Sequence, residues 1–423
     1  MKKKLSLVLI TIFVLSLPTK NFPFFGSYTF NKAQLPIPET RESRPWLTSF
    51  DAEFFIGSTE KSEDQKGNTT ELLNLYGLHN MKALGTGVTN LDPTKTEDNV
   101  LIALNGMASR DNFGMFEFKG KYSIKEVGID LKQNFSRGFF AQILIPIVSE
   151  STGDITYTDK SPDGGTAPNK NSIEWQNFLA YFDRILEKYK LNIKETTYEG
   201  LGDVGAFVGW TYNNKSNEQL DFLNATIKTG VLFPVSTEAE EGICFDTASG
   251  SNGHRALNTS FDVALGAYDW LTIGIHGGAL LFLDKNKEIR IRTSSEQNGF
   301  IKLEKAEANI SPATTWTFGT YLKAEHFLRN LSFKLAYSFV KKGNDIVNPK
   351  TNVSSTEIAS KDSIYQDWHK QTLHLNFEYD FGEEEAKFNP KVGFSYNYIL
   401  DGKRVFKTNL WGGSFGLDIA LKF

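Results

Sequence analysis

The segment SFGLDIALKF, residues Ser414 to Phe423, alternates strictly between large apolar side chains and small or polar ones. The apolar stripe consists of Phe415, Leu417, Ile419, Leu421 and Phe423. Successive side chains of a β-strand point to opposite faces of the sheet. The segment is therefore predicted to be a strand with one apolar and one polar face.

The same alternation recurs about twelve times after Trp46, mostly over about 9–11 residues, the length of a tilted strand that crosses a bilayer. Short links, at 136–138, 213–219, 269–270, 329–330 and 382–390, alternate with mostly long ones, at 59–112, 150–201, 235–256, 284–313 and 343–367. Outer-membrane barrels have tight periplasmic turns and long outer loops in this order. We therefore predict an all-β fold, a transmembrane antiparallel β-barrel of about twelve strands with long extracellular loops that contain short helices.

A secreted β-sandwich is the alternative, because its strands also alternate between apolar and polar residues. A sandwich does not require the regular succession of short and long links. It also does not explain the aromatic residues near strand ends, which match the girdles at the two membrane interfaces. The candidates for these girdles are Trp210, Tyr212, Trp270, Trp316, Tyr337, Tyr379, Tyr398 and Trp411.

The composition excludes several classes of protein. In 423 residues, 46 Lys and Arg nearly balance 50 Asp and Glu, so no basic field indicates a nucleic-acid partner. The mean hydropathy of −0.32 argues against helical membrane spans. A single cysteine, Cys244, excludes a disulfide framework and a cysteine-rich metal site. We expect no cofactor and no metal.

The first residues, MKKKLSLVLITIFVLSLP, have three lysines followed by an apolar run from Leu5 to Leu17. This pattern predicts a secretory signal peptide over residues 1–27, with cleavage between 18 and 33. Residues 28–45 are then a short periplasmic segment, and residues 46–423 form the barrel.

The last strand also resembles the C-terminal signal of bacterial outer-membrane barrels. The matching residues are Ser414, Gly416, Ile419, Leu421 and Phe423. The resemblance implies a location in the bacterial outer membrane. The partners it implies are outer-membrane lipid and lipopolysaccharide and the barrel assembly machinery, which reads this signal.

A second resemblance concerns GLGDVGAFVGW (200–210) and LNATIKTGVLFPVST (223–237). They resemble an outer-membrane family linked to phenol meta-pathway degradation and related to the long-chain fatty-acid transporters. The matching residues are Gly200, Leu201, Gly202, Asp203, Val204, Gly230 and Pro234, and Pro146 in FFAQILIPI (139–147) is similar to the preceding strand. The resemblance implies passive uptake of a small hydrophobic compound. Residues 28–45 are short for a plug, so gating by a plug is not inferred.

Alternation places polar residues of both signs inside the predicted barrel. The candidate lumen or substrate-path residues are Asp130, Asp203, Lys228, Asp262, His276, His374 and Glu378. Mixed signs predict no strong ion selectivity. Alternatively these side chains pair and fill the interior, and Asp203 caps a turn.

Pro146 and Pro234 each remove a hydrogen-bond donor from a predicted strand. They are candidates for a break in the barrel wall through which an apolar substrate leaves sideways. The alternative is that they mark the rim where pairing ends.

Two outer loops contain helical patterns. Residues 171–190 place Phe178, Phe182, Ile185 and Tyr189 on one face, and residues 69–84 contain Leu72, Leu75 and Tyr76. These helices would form a lid on the barrel mouth, or loops folded on themselves.

No catalytic site is predicted. Ser251 and His254 lie close together in the sequence, but no third residue is evident to orient the histidine. The sequence therefore indicates a channel rather than an enzyme. A general water-filled porin and a plugged barrel with a receptor or structural surface remain alternatives.

Overall fold

The structure is a computed structural model, and it describes residues 46–214, 222–268, 270–328, 330–382 and 387–420. Twelve antiparallel strands form one closed barrel in which neighbours in sequence pair. They are β1 (Leu47–Thr59), β2 (Met115–Asn134), β3 (Phe139–Asp159), β4 (Val204–Asn214), β5 (Phe222–Phe233), β6 (Ala256–Tyr268), β7 (Leu271–Phe282), β8 (Thr315–Leu328), β9 (Leu331–Lys342), β10 (Trp368–Asp380), β11 (Phe388–Lys403) and β12 (Leu410–Ala420). The predicted barrel is confirmed.

The barrel closes where β12 returns to β1, with register partners from Leu47 and Ala420 to Ile56 and Trp411. Closure satisfies the backbone groups of both strands, which would otherwise be unpaired in lipid. The alternating segment that opens the sequence analysis therefore forms the seam of the barrel. Its last three residues, Leu421 and Phe423 among them, lie outside the described residues.

The outer wall is apolar and the inner wall polar along most of each strand. On β1, for example, Phe54 and Ile56 are exposed on the outside, whereas Ser49 is buried on the inside. Most of the predicted girdle aromatics, such as Trp210, are likewise exposed on the outer wall. The surface thus has the apolar band that a bilayer requires.

The hairpin of β2 and β3 extends well beyond the other strands. Its strands have 20 and 21 residues, about 65 Å of chain at about 3.3 Å per residue, whereas the apolar band of a barrel is about 25 Å tall. The outer loop predicted from residue 150 therefore begins too early, since β3 continues to Asp159, whereas the loop predicted to end at 112 stops close to the start of β2 at Met115.

The projecting part of this hairpin reverses the polarity of the barrel. Phe116, Phe118 and Tyr122 continue the inward stripe and are fully buried, while Lys119 and Lys121 face outward and are exposed. Below them the same inward stripe holds Asp130 and Lys132. Above the membrane the hairpin therefore supports an apolar core on its inner side.

The outer loops contain most of the remaining elements. The helices are α1 (Thr96–Asn105), α2 (Ile173–Lys188) and α3 (Thr356–Ser360), and 3₁₀ turns span Leu72–Asn74 and Ser363–Tyr365. A further 3₁₀ turn, Ser136–Gly138, forms the short link between β2 and β3 at the opposite end of the barrel. Short strands span Lys61–Glu63, Thr69–Glu71, His79–Asn80, Thr196–Leu201, Lys285–Arg290, Lys305–Ser311, Ile346–Pro349 and Val405–Phe406. None of the helices in the described ranges combines the length and apolarity of a membrane span.

Helix α2 confirms the helix predicted over 171–190, and its residues Phe178, Phe182 and Ile185 are buried. The helix predicted over 69–84 is wrong. Thr69–Glu71 pairs as a strand with Lys61–Glu63, and Gly77 has a left-handed φ of 91° that interrupts helical backbone.

The predicted signal peptide, residues 1–27, and the predicted periplasmic segment, residues 28–45, lie outside the described residues. The predicted division of the chain therefore stays a prediction.

Candidate functional site

The middle of the barrel interior is filled by polar side chains that bond to each other. Lys228 Nζ donates to Gln142 Oε1 at 2.9 Å, and Gln142 Nε2 donates to Asp130 Oδ2 at 2.7 Å. Gln142 and Lys228 are 4% and 3% exposed. Two of the predicted path residues, Asp130 and Lys228, are thus brought together by a glutamine that the sequence analysis did not single out.

A second group brings together Asp262 and His276. They are register partners on β6 and β7. The hydroxyl of Tyr321 donates to Asp262 Oδ1 at 3.1 Å, and the Tyr321 ring stacks on the His276 ring with centroids 6.3 Å apart.

The third group surrounds His374. Its Nε2 lies 2.8 Å from Ser338 Oγ, and its Nδ1 lies 2.6 Å from Asn397 Oδ1. Glu378 lies further along β10, opposite Ser332 and Gly393. These contacts correspond to the alternative in which lumen side chains pair and pack, since these polar groups satisfy each other.

Asp203 lies apart from the three groups, at the outer end of the wall. Its carboxylate accepts hydrogen bonds from Ser236 Oγ at 2.6 Å, Ser236 N at 3.3 Å and Ser251 N at 2.5 Å. It therefore ties the loop between β5 and β6 to the start of β4. This is a capping role, although it caps another loop rather than its own turn.

The wall between β3 and β4 is interrupted at Pro146. Leu144 pairs with Gly205 below the interruption, and Ile147 pairs with Leu201 above it. Between these pairs, the three residues 202–204 face the two residues 145–146 of β3. Gly202 N donates to Pro146 O at 2.8 Å. Because N and O of one residue point to the same side of an antiparallel strand, the missing proline donor faces this β-bulge.

The two prolines differ in position. Pro146 lies inside β3, with six further residue pairs towards Thr152 and Thr196. Pro234 directly follows Phe233, the last residue of β5, and therefore stands at the rim.

An apolar row lies on the inner wall beside the bulge. Register partners share a face of the sheet, and one row of partners across β3 to β7 consists of Leu144, Gly205, Leu232, Ala256 and Phe282. Phe207 and Leu280 pack against this row. The outer part of the lumen is thus apolar where its middle is polar.

The inner side of the bulge borders open space. Gly128 on β2 is the register partner of Pro146. A Cβ atom added at Gly128 would have no heavy atom within 4 Å. The lumen is therefore not filled at the level of the bulge.

The sequence analysis missed this apolar row, although a signal was present. Alternation fails at the outer ends of β5 and β7, where the sequence reads VLF and LLF, and within β3, where it reads ILIPI. A second apolar stripe at these ends places apolar side chains on the inner face too.

The outer loops cover the barrel mouth as one apolar core, which we call the cap. It contains Leu72, Leu101, Phe182 and Phe245 from the loops. Residues that face inward from the barrel wall, Phe55, Tyr122, Ile124, Val148 and Leu410, belong to the same cluster. The loops therefore pack on the barrel mouth rather than only on themselves.

Ser251 and His254 do not form a nucleophile–base pair here. The Ser251 hydroxyl donates to the backbone carbonyl of His254 at 2.6 Å, and His254 Nδ1 lies 3.0 Å from Leu283 O. Burial lowers the pKa of His254. In the part of the chain that the structure describes, no three His, Cys, Asp or Glu side chains are grouped as a metal site.

Comparison with known proteins identifies the fold of this barrel. No protein-family model matches the chain, and no curated protein matches it. The crystal structure of the COG4313 outer membrane channel from Pseudomonas putida F1 matches with a TM-score of 0.51 at 10% identity, over 92% of this chain and 100% of that chain. The chain has the fold of an outer-membrane channel.

Two further channels match with lower TM-scores. A FadL homologue from Pseudomonas aeruginosa has 12% identity, 88% coverage of each chain and a TM-score of 0.29. The CymD monoaromatic hydrocarbon channel has 6% identity, covers 90% of this chain and 89% of that chain, and has a TM-score of 0.31. The likenesses concern fold alone, and the resemblance to the phenol meta-pathway family stays a resemblance.

Proposed function

We propose that the protein is a channel of the bacterial outer membrane for the passive uptake of small hydrophobic compounds. The observation that carries the proposal is the apolar row from Leu144 to Phe282, which ends beside the bulge at Pro146. Apolar compounds cross a wall of paired strands only where the ladder is weakened, because strand pairing is otherwise continuous.

The proposed path begins at the cap and follows the apolar outer part of the lumen. It then turns sideways at Pro146, because the polar groups around Gln142 and His374 fill the interior below. Outer-membrane lipid and lipopolysaccharide surround the barrel in this proposal, and the barrel assembly machinery inserts it. Pro234, at the rim, borders the same end of the path, and Asp203 holds the neighbouring loop.

The test is to fill the open space beside the bulge. Gly128→Phe adds a ring on the inner wall opposite Pro146. We expect it to reduce entry of the apolar dye 1-N-phenylnaphthylamine into cells with an intact lipopolysaccharide layer, because the ring obstructs the proposed path. Ala141→Phe is the matched control, since it adds the same ring on the outer wall of β3.

Equal dye entry with both variants would contradict the proposed path. Equal entry with and without the wild-type protein would contradict the proposed function itself. Folding of each variant is checked by its resistance to unfolding in detergent before boiling.

A plugged barrel with a receptor surface is the second candidate. The buried polar groups inside the barrel and the size of the cap favour it. It predicts that the wild-type protein does not change dye entry at all.

A further inference from the structure

Five outer loops meet around a cavity of about 150 Å³ inside the cap. Each loop contributes at least one side chain to its lining: Tyr76, Leu191, Cys244, Phe300 and Tyr365. No single loop forms the cavity, so its shape depends on the complete cap. This cavity is separate from the lumen residues and the bulge considered above.

The size and walls of the cavity suit one aromatic ring. Apolar cavities of about 150 Å³ hold one benzene-sized molecule. The rings of Tyr76 and Phe300 lie 4.9 Å apart with a 45° tilt, and Trp368 contributes a further aromatic side chain. Aromatic walls favour an aromatic guest, because offset and edge contacts between rings add to the burial of apolar area.

The cations beside the cavity already have partners. Lys302 forms an ion pair with Asp362 at 2.6 Å, with both side chains 1% exposed. Lys342 is paired with Asp345, and both are buried. An anionic guest would lose its hydration without gaining an unpaired positive charge, so an uncharged guest is favoured over an anion.

A third cation in the lining, Arg290, is used to hold loops together. Its guanidinium donates to the backbone carbonyls of Leu303, Tyr189 and Glu241, at 2.5, 2.6 and 3.1 Å. These bonds join three loops at the cavity wall. Arg290 therefore keeps the cavity shape rather than offering its donors to a guest.

The cavity borders the outer mouth of the barrel. Lys342 and Trp368, which line it, are register partners at the outer ends of β9 and β10. A neighbouring groove of about 350 Å³ shares the lining residues Glu240, Ile243, Asp246 and Thr247. The segment 240–247 thus lies between the groove and the cavity.

We infer that the cap cavity is a capture site for one uncharged, single-ring aromatic molecule. This inference rests on the proposed function and specifies its substrate class. The segment 240–247 separates the cavity from the neighbouring groove, so a molecule that enters through the groove must pass this segment.

Cys244 provides the measurement, since it lines the cavity and is the single cysteine of the chain. Burial raises the pKa of its thiol to about 12, so labelling by a small thiol reagent is slow and reports access to the cavity. With the full-length protein in detergent, toluene at ten times its dissociation constant is expected to slow labelling about tenfold. Cys244→Ser gives the background.

Two variants test the site itself. Ala248→Leu places extra volume in the lining and is expected to abolish protection by toluene, whereas Ala103→Leu, on the exposed face of α1, is expected to keep it. Tyr365→Ala enlarges the cavity, so it is expected to gain protection by naphthalene, which the wild-type cavity is too small to hold.

Protection that persists in Ala248→Leu would overturn the inference, because toluene would then act through the detergent. Absence of protection in the folded wild-type protein would also overturn it. Equal protection by benzoate or by n-octane would overturn the substrate class. Dye entry without protection by toluene would leave the proposed function standing and remove the capture site, and protection without dye entry would do the reverse.

Discussion

At the scale of single residues, His79 is the most unusual group in the cap. It is fully buried and packs on the rings of Phe118, Phe245 and Phe300. Among the described residues, neither of its ring nitrogens has a hydrogen-bond partner. Burial, with a smaller effect of the Lys302 ammonium, lowers the pKa of His79 to about 3.

This histidine makes the cap sensitive to acid. Above pH 6.5 the ring is neutral in the folded and the unfolded cap, so its contribution to stability is fully present. Below pH 6.5 the unfolded cap binds a proton that the folded cap does not accept until about pH 3, so stability falls with pH. At pH 5 we expect a loss of about 2 kcal/mol relative to pH 7.5.

The measurement is native-state cleavage of the outer loops by a protease active at both pH values. A loss of about 2 kcal/mol raises the cleavage rate about 30-fold when opening is in equilibrium. His79→Phe keeps the aromatic contacts and is expected to flatten this pH dependence. An unchanged pH dependence in His79→Phe would assign the effect to other groups.

At the scale of elements, α2 packs its aromatic side chains on the projecting hairpin. Phe182 packs on Phe116 and Tyr157, with ring centroids 5.7 and 5.9 Å apart. Trp175 packs on Phe116 and Phe113 in the same way. The helix is therefore held by the inner face of β2 and β3 above the membrane.

Phe182→Ala should loosen the cap without unfolding the barrel. Removing a buried aromatic ring costs about 3–5 kcal/mol, and this ring contacts the hairpin only in the part that projects above the membrane. We expect faster proteolysis of the loops and an unchanged resistance of the barrel to unfolding before boiling. Ile173→Ala, on the exposed side of the same helix, is the control and should change little.

Loss of the barrel's resistance in Phe182→Ala would show instead that cap and barrel unfold as one unit. That result would contradict our expectation that the cap opens while the barrel stays folded.

The elements also show what the sequence was able to predict. Helix α2 was predictable because Phe178, Phe182 and Ile185 repeat with the helical period. The extension of β3 to Asp159 was not recognised, because Ser149, Ser151 and Gly153 continue its apolar outer stripe with small or polar residues. An inversion of polarity along one stripe marks the point where a strand leaves the membrane and begins to support a cap.

At the scale of the whole molecule, the packed interior predicts a low conductance. The groups around Gln142, Asp262 and His374 fill the lumen, and the cap covers its mouth. In a planar bilayer we expect no large stepwise openings from protein shown to be folded. Large steps would mean that a water-filled lumen forms, and the general porin would then replace the proposed function.

The barrel was predictable at this scale and the candidate sites were not. A bilayer imposes alternation and strand length on every strand, so the pattern repeats within each short stretch of sequence. The cap cavity joins Tyr76 to Tyr365 and follows no local pattern. The bulge was visible as Pro146, but the open space beside it depends on Gly128, on another strand.

The cap core includes Phe55 from the first strand and Leu410 from the last. These two strands become neighbours only when the barrel closes at its seam, so the cap core is completed after closure. A newly inserted copy therefore passes through a period in which its wall is closed and its mouth is still uncovered. The speed with which the loops settle sets how long the apolar inner face of the mouth stays exposed to water.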